Sequence, residues 1–147
     1  GLGYDDPLPG APDTTVGDAL LTPTRIYAKA FEAMTALPGS PLHAAAHITG
    51  GGLIENPPRV LPEGMAMELT LGEVPVPPVL QAIAAQGVDT LEMRRTFNCG
   101  VGMLLVVQAD AVADVVAALD TVGERSIPVG RIVARAPDGP PVVFMDT

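Results

Sequence analysis

The sequence predicts an α+β domain in which a mixed β-sheet is packed with helices, and three observations lead there. Apolar residues recur at helical spacing in two places: Ile26, Tyr27, Ala30, Phe31, Met34 and Leu37, and again Val112, Val115, Val116, Leu119 and Val122. Met67, Leu69 and Leu71 alternate with Ala66, Glu68 and Thr70, the period-two pattern of a half-buried strand. Residues 101–107 are apolar throughout, as expected of a strand covered on both faces.

The elements follow in order. Residues 1–18 are polar, rich in Gly and Pro and without periodicity, and read as a lead-in or interdomain segment ahead of a domain spanning 19–147. Thr22-Pro23-Thr24 offers hydroxyl caps and a first-turn proline for the first helix, which Pro38-Gly39 stops. That stripe reads as core, not as a binding face. Residues 42–48 form a short strand, and a helix starts at Leu53. Helices are expected over 79–85, behind Pro77-Pro78, and over 90–97, carrying Glu92, Arg94 and Arg95. Asp110 caps the clearest helix and Gly123 ends it. Residues 127–135 and 142–145 close the chain as strands around Pro137-Asp138-Gly139-Pro140-Pro141. Strand, helix and strand across 101–135 imply a right-handed crossover onto one sheet.

Composition bounds the function. With 147 residues the chain fits one domain, and 48% hydrophobic against 17% charged residues excludes a disordered tail. Aromatics are 3% and Trp is absent, so the core must be built from aliphatic residues and Met. A net charge of −9 with eight basic residues argues against nucleic acid and against an anionic membrane surface as partners. Cys99 is the single cysteine, which rules out an internal disulfide and reads as a small packed residue. No segment reaches the roughly 18 apolar residues of a membrane span. Gly1-Leu2-Gly3-Tyr4-Asp5-Asp6 has no signal-peptide character and reads like the middle of a longer protein.

The chemistry-bearing segment is His47-Ile48-Thr49-Gly50-Gly51-Gly52-Leu53, followed by Glu55-Asn56-Pro57-Pro58-Arg59. A glycine in a regular element gives up roughly 0.5–1 kcal/mol relative to Ala, so three in a row ask for a reason. They leave a bare stretch of N–H groups that can form a concave anion site, with the helix at Leu53 aiming its positive end at the same place. The alternative is a plain tight turn. Asn56 and Arg59 share a face if that segment is helical, and Arg59 is equally suited to a phosphate contact or a structural salt bridge. His47 is either a hydrogen-bonded structural residue or one that orients the loop or touches substrate. His43, four residues earlier, suggests a metal pair only with a third ligand, which is not near in sequence.

A second segment, Glu92-Met93-Arg94-Arg95-Thr96-Phe97-Asn98-Cys99-Gly100-Val101-Gly102-Met103, puts an Asn and two alternating glycines directly before the buried strand. Asn98 can donate and accept there, and Arg95 offers a fork for phosphate or carboxylate. Glu92 and Arg95 can pair within one helical turn. The bland alternative is a turn with surface charges. Neither G-x-G-x-x-G nor G-x-x-x-x-G-K-[ST] occurs.

Taken together, Leu21-Thr22-Pro23-Thr24-Arg25-Ile26-Tyr27, the glycine segment, Asn56-Pro57-Pro58-Arg59-Val60-Leu61-Pro62 and the Glu92–Met103 segment closely resemble the aminoimidazole ribonucleotide synthetases, the phosphoribosylformylglycinamidine cyclo-ligases of purine biosynthesis. The resemblance runs in order from residue 15 to 144 and matches only the C-terminal half of those enzymes. Pro57 stands where they usually carry an aliphatic residue, and Arg94 where an aromatic is common. The resemblance implies an ATP-dependent ligase that converts formylglycinamidine ribonucleotide to aminoimidazole ribonucleotide in the cytoplasm. ATP and Mg would be bound mainly by an N-terminal domain that also supplies the catalytic residues and the homodimer interface, so this chain alone would be incomplete. The residues implied to face substrate or phosphate are His47, Thr49, Gly50, Gly51, Gly52, Asn56, Arg59, Asn98 and Gly100. Two other readings stand beside it: a related ATP-dependent enzyme of the selenophosphate, thiamine-phosphate or hydrogenase-maturation type, and a non-catalytic phosphate-binding module.

Overall fold

The computed structural model describes residues 1–145. The lead-in is not irregular: strand β1 (Pro7–Leu8) and strand β2 (Ala11–Thr15) form an antiparallel hairpin, and helix α1 (Val16–Leu20) follows at once. The Thr15 hydroxyl accepts from the Asp18 N–H at 3.1 Å and donates to its carboxylate at 2.8 Å, which caps this helix. Periodicity could not reveal the hairpin, because Leu8 is its single fully buried side chain.

Helix α2 (Ala28–Thr35) starts later than the Thr22-Pro23-Thr24 signal suggests, and its N-cap, Tyr27, makes no side-chain cap bond. Residues 22–27 are irregular, so Ile26 drops out of the stripe and is 81% exposed. Tyr27, Ala30, Phe31, Met34 and Leu37 do pack as core, against Val115 and Leu119 of helix α6 (Val112–Thr121). Asp110 is not the cap of α6: it lies in a 3-10 turn, Ala109–Ala111, and the cap position is Ala111.

Strand β3 (Leu42–His47) pairs antiparallel with β5 (Met103–Val107). A three-stranded mixed sheet holds β4 (Met65–Leu69) at its centre, antiparallel to β6 (Gly130–Ala134) and parallel to β7 (Val142–Phe144). Between them lie α3 (Gly52–Glu55), a 3-10 turn at Pro57–Val60, α4 (Pro78–Ala84) and α5 (Thr90–Thr96). The expected crossover onto one sheet does not occur. The β5–α6–β6 connection carries the chain from the two-stranded sheet to the three-stranded one, since β5 pairs with β3 while β6 pairs with β4.

Two cores sandwich the β3–β5 pair. On one side Ala46 and Leu104, with Val106, join Met67, Leu69 and Val142 of the three-stranded sheet and Leu53 of α3. On the other side Leu42, Leu105 and Val107 meet α2 and α6. Successive β5 residues thus enter opposite cores, which is why residues 101–107 show no polar alternation.

Met34 is fully buried between α2 and α6 while Ile26 is in solvent. Met34→Ala should therefore lower unfolding free energy by about 2–5 kcal/mol, whereas Ile26→Ala should stay within about 0.5 kcal/mol. Urea titrations of both variants check this, and equal losses would mean that the stripe is continuous.

Candidate functional site

Antiparallel pairing places the C-terminal end of β3 beside the N-terminal end of β5, with His47 opposite Met103 and the Ile48 N–H donating to the Gly102 carbonyl at 3.0 Å. Both motif loops therefore emerge at one end of the strand pair, although they are some fifty residues apart in sequence.

The glycine loop is held by Asn56. Its Oδ1 accepts from the Thr49 N–H at 2.6 Å and from the Thr49 hydroxyl at 3.3 Å, and its Nδ2 donates to the Gly50 carbonyl at 2.9 Å. Asn56 is 3% exposed, so its amide closes the loop from within rather than facing the cleft. The three glycines divide their work. Gly50 has open space where a Cβ would stand. Gly51 has φ of 95°, in the left-handed region that favours glycine. A Cβ on Gly52 would strike the backbone carbonyls of Arg94 and Phe97, so its absence lets α3 lie directly on α5.

Helix α3 begins at Gly52, not Leu53, and lasts four residues. Pro57 stops it: proline has no N–H to donate to the Leu53 carbonyl. Asn56 and Arg59 consequently do not share a helical face; Asn56 turns inward and Arg59 sits exposed on the 3-10 turn. A helix this short contributes little dipole. The Gly52 N–H is itself engaged, donating to the Thr49 carbonyl at 2.9 Å. Among the described residues the N–H groups of Gly50 and Gly51 have no protein acceptor.

In the second loop the Asn98 Oδ1 accepts from the Gly100 N–H at 3.0 Å, and the Val101 N–H donates to the Asn98 carbonyl at 2.9 Å. Gly100 faces the Pro75 carbonyl and the Pro77 ring, and Gly102 lies under the Tyr27 hydroxyl, so both glycines answer to close protein neighbours. Cys99 packs against the main core, its thiol donating to the Met93 carbonyl at 3.4 Å. Burial pushes that thiol's pKa up, with Arg94 pulling weakly the other way. This is the environment of an unreactive cysteine.

The loops meet at an open cleft of about 290 Å³ lined by Ile48, Thr49, Leu80, Thr96, Phe97 and Asn98. Of the residues singled out from sequence, Thr49 and Asn98 line it. His47 is exposed at the end of β3, its ring edge-on to Tyr27 with centroids 5.8 Å apart. Burial raises the Tyr27 pKa, with Arg25 opposing and Glu124 adding. Arg95 pairs with Glu92 at 3.7 Å on the surface, as their spacing suggested, and Glu92 also accepts from the Thr96 hydroxyl at 2.7 Å. Arg94 stacks over Phe144 at 4.1 Å. Leu80 is the lining residue that sequence gave no means of finding, because α4 reaches the cleft only through the tertiary fold.

Among the described residues no three of His, Cys, Asp and Glu gather in a metal-binding group, so His43 and His47 acquire no third ligand. Ile48, Leu80 and Phe97 give the cleft apolar lining, Thr49, Thr96 and Asn98 give it polar groups, and its lining residues include no acid paired with a base. Such a surface can hold and orient an anionic or polar ligand while reactive groups come from elsewhere.

Fold and cleft together define an α+β domain of small sheets packed against helices, with an open cleft at one end of the β3–β5 pair. The chain belongs to the family described as AIR synthase related protein, C-terminal domain, whose model matches residues 2–140. Members of that family are mostly ATP-utilising enzymes. No helix among the described residues is long and apolar enough to cross a membrane.

Asn56→Ala should strand the Thr49 N–H and the Gly50 carbonyl and lower stability by about 1–3 kcal/mol, with faster hydrogen exchange at residues 49–52. A thermal melt and an exchange map check both parts. Cys99 should react with iodoacetamide more slowly in the folded protein than in urea at mildly alkaline pH. Because the folded thiol holds its proton more tightly, stability should fall as pH rises through the ordinary thiol range and toward the raised folded value. Cys99→Ala should lose that portion of the slope, leaving the part due to Tyr27.

Proposed function

We propose that this domain forms one wall of the active site of an ATP-dependent cyclo-ligase that closes the imidazole ring of aminoimidazole ribonucleotide. The observation that carries the reading is the convergence of the two family-like loops, through Thr49 and Asn98, on one cleft. The stretch Thr96-Phe97-Asn98-Cys99-Gly100-Val101-Gly102 fits the purine enzyme better than its selenophosphate or thiamine-phosphate relatives.

In the proposed reaction ATP phosphorylates the formyl amide oxygen of formylglycinamidine ribonucleotide, releasing ADP. A nitrogen of the substrate then attacks that carbon, closes the ring and expels phosphate. This chain's part is to position. The N–H groups of Gly50 and Gly51 donate to a phosphate or another anionic group of the ligand, while the Thr49 hydroxyl gives its proton to Asn56 Oδ1 and holds the loop. Asn98, its Oδ1 fixed by the Gly100 N–H, presents its Nδ2 to the cleft. Asn56 acts behind them by holding the loop's shape. The described residues do not gather a carboxylate set for Mg, so no step is assigned to the metal here. ATP and Mg are assigned to a partner N-terminal domain, which also carries the homodimer contact in the cytoplasmic enzyme.

Complementation in trans tests the proposal. This chain is mixed with a separately produced N-terminal domain, formylglycinamidine ribonucleotide, ATP and Mg, beside an intact two-domain enzyme as control. Product should require both halves, and Asn98→Ala should lower turnover by about ten- to a hundredfold, the loss of a hydrogen bond to a charged ligand. Absence of product from both the mixture and the intact control would reject the cyclo-ligase assignment and favour a sister phosphorylating enzyme. Phosphate binding without turnover beside an active N-terminal domain would favour the non-catalytic module.

A further inference from the structure

Basic residues are scarce on this acidic chain, yet three of the eight, Arg125, Arg131 and Arg135, fall between residues 125 and 137, a stretch with no Asp or Glu. Arg131 lies within strand β6 and Arg135 directly follows it, and β6 is an edge strand: the sheet order is β6-β4-β7. Register decides which of its backbone groups are engaged. The Arg135 N–H donates to the Gly64 carbonyl at 2.8 Å and the Thr70 N–H donates to the Val129 carbonyl at 2.7 Å. Inward bonding therefore falls on Val129, Arg131, Val133 and Arg135. Gly130, Ile132 and Ala134 point their N–H and C=O groups outward, and no second strand flanks them among the described residues.

Arg131 and Arg135 stand on one face of this strand, four residues apart. The Arg131 side chain is 74% exposed although it pairs with Glu68 at 2.7 Å, and Arg135 has no ion-pair partner among the described residues. A shallow depression of about 290 Å³, lined by Glu68, Thr70, Gly130, Arg131 and Met145, reaches from β6 across β4 to the residue after β7. All of this is on the three-stranded sheet, whereas the cleft belongs to the β3–β5 end.

We propose that the free edge of β6 is a docking site for an extended acidic segment of a partner protein, which adds as an antiparallel strand. Outward groups of Gly130, Ile132 and Ala134 supply the main-chain hydrogen bonds. Arg131 and Arg135 then occupy the non-hydrogen-bonded positions of the new pair, where facing side chains approach most closely, so acidic residues four apart in the partner meet them directly. A second copy adding β6 to β6 is disfavoured, because it would bring this basic strand against itself.

The probe is a fluorescein-labelled peptide, Ser-Glu-Val-Thr-Val-Glu-Ser, read by anisotropy against the whole chain, with a control carrying Lys for both Glu. The acidic peptide should bind, weaken as salt rises, and protect the Gly130, Ile132 and Ala134 amides from hydrogen exchange. Two variants separate backbone from charge. Ala134→Pro removes an outward N–H and no ladder bond, so the fold stays while binding falls by about tenfold or more; Arg135→Glu should do the same. Circular dichroism confirms that both variants are folded. The proposal is overturned if the Lys peptide binds equally well, if protection appears away from β6, or if Ala134→Pro binds like the parent. No anisotropy change at about millimolar protein overturns it as well. Self-association that Ala134→Pro abolishes, without peptide binding, would assign the edge to a second copy instead.

Discussion

Across the β3–β5 pair Ala46 faces Leu104 and His47 faces Met103, and the opposite direction of the two strands sets the geometry of the whole site. The pairing brings together two loops that sequence separates widely. It also supplies apolar side chains to both cores, since Leu104 and Val106 enter one while Leu105 and Val107 enter the other. A register slip of one residue would exchange these sets and move both loops relative to each other. Site geometry and core packing therefore rest on the same ladder.

Close backbone approach is the second constraint. The absent side chain at Gly52 lets α3 rest on α5, and the one at Gly102 leaves room for the Tyr27 hydroxyl. Asn56 completes the arrangement by taking the place of a turn's own hydrogen bonds inside the loop. Several residues with the look of ligand contacts thus have structural work. The groups left without a protein partner among the described residues are the Asn98 Nδ2 and the loop N–H groups at Gly50 and Gly51.

That division suits a domain that binds and orients. The cleft has polar groups and apolar lining, while the thiol of Cys99 beside it is half-buried and has its pKa raised by that burial. The family to which the chain belongs consists mostly of ATP-utilising enzymes, and on the proposed reading this wall would position a ligand whose reacting groups come from a partner domain. The acidic surface elsewhere makes the basic edge at β6 a local exception, and an edge strand with unengaged backbone is a place where a protein either guards itself or accepts a partner.

Sequence by itself determined the class of fold, the strands and helices with strong periodicity, and the two loops whose Thr49 and Asn98 line the cleft. Their signals are local: alternation in residues 66–71, of which the strand keeps those up to Leu69, a helical stripe in 112–122, glycines beside an Asn. It also carried a resemblance to the cyclo-ligases, and the match over residues 2–140 places the chain in the wider family. It did not reveal the hairpin at 7–15, where one buried leucine leaves no pattern, or the early end of α3, where Pro57 removes the next donor. Only the tertiary structure decided that β5 pairs with β3 and β6 with β4, that Asn56 turns inward while Arg59 faces solvent, and that Leu80 joins the cleft. Those outcomes depend on which strand finds which partner, and strand pairing is settled by burial between distant segments rather than by any residue's near neighbours.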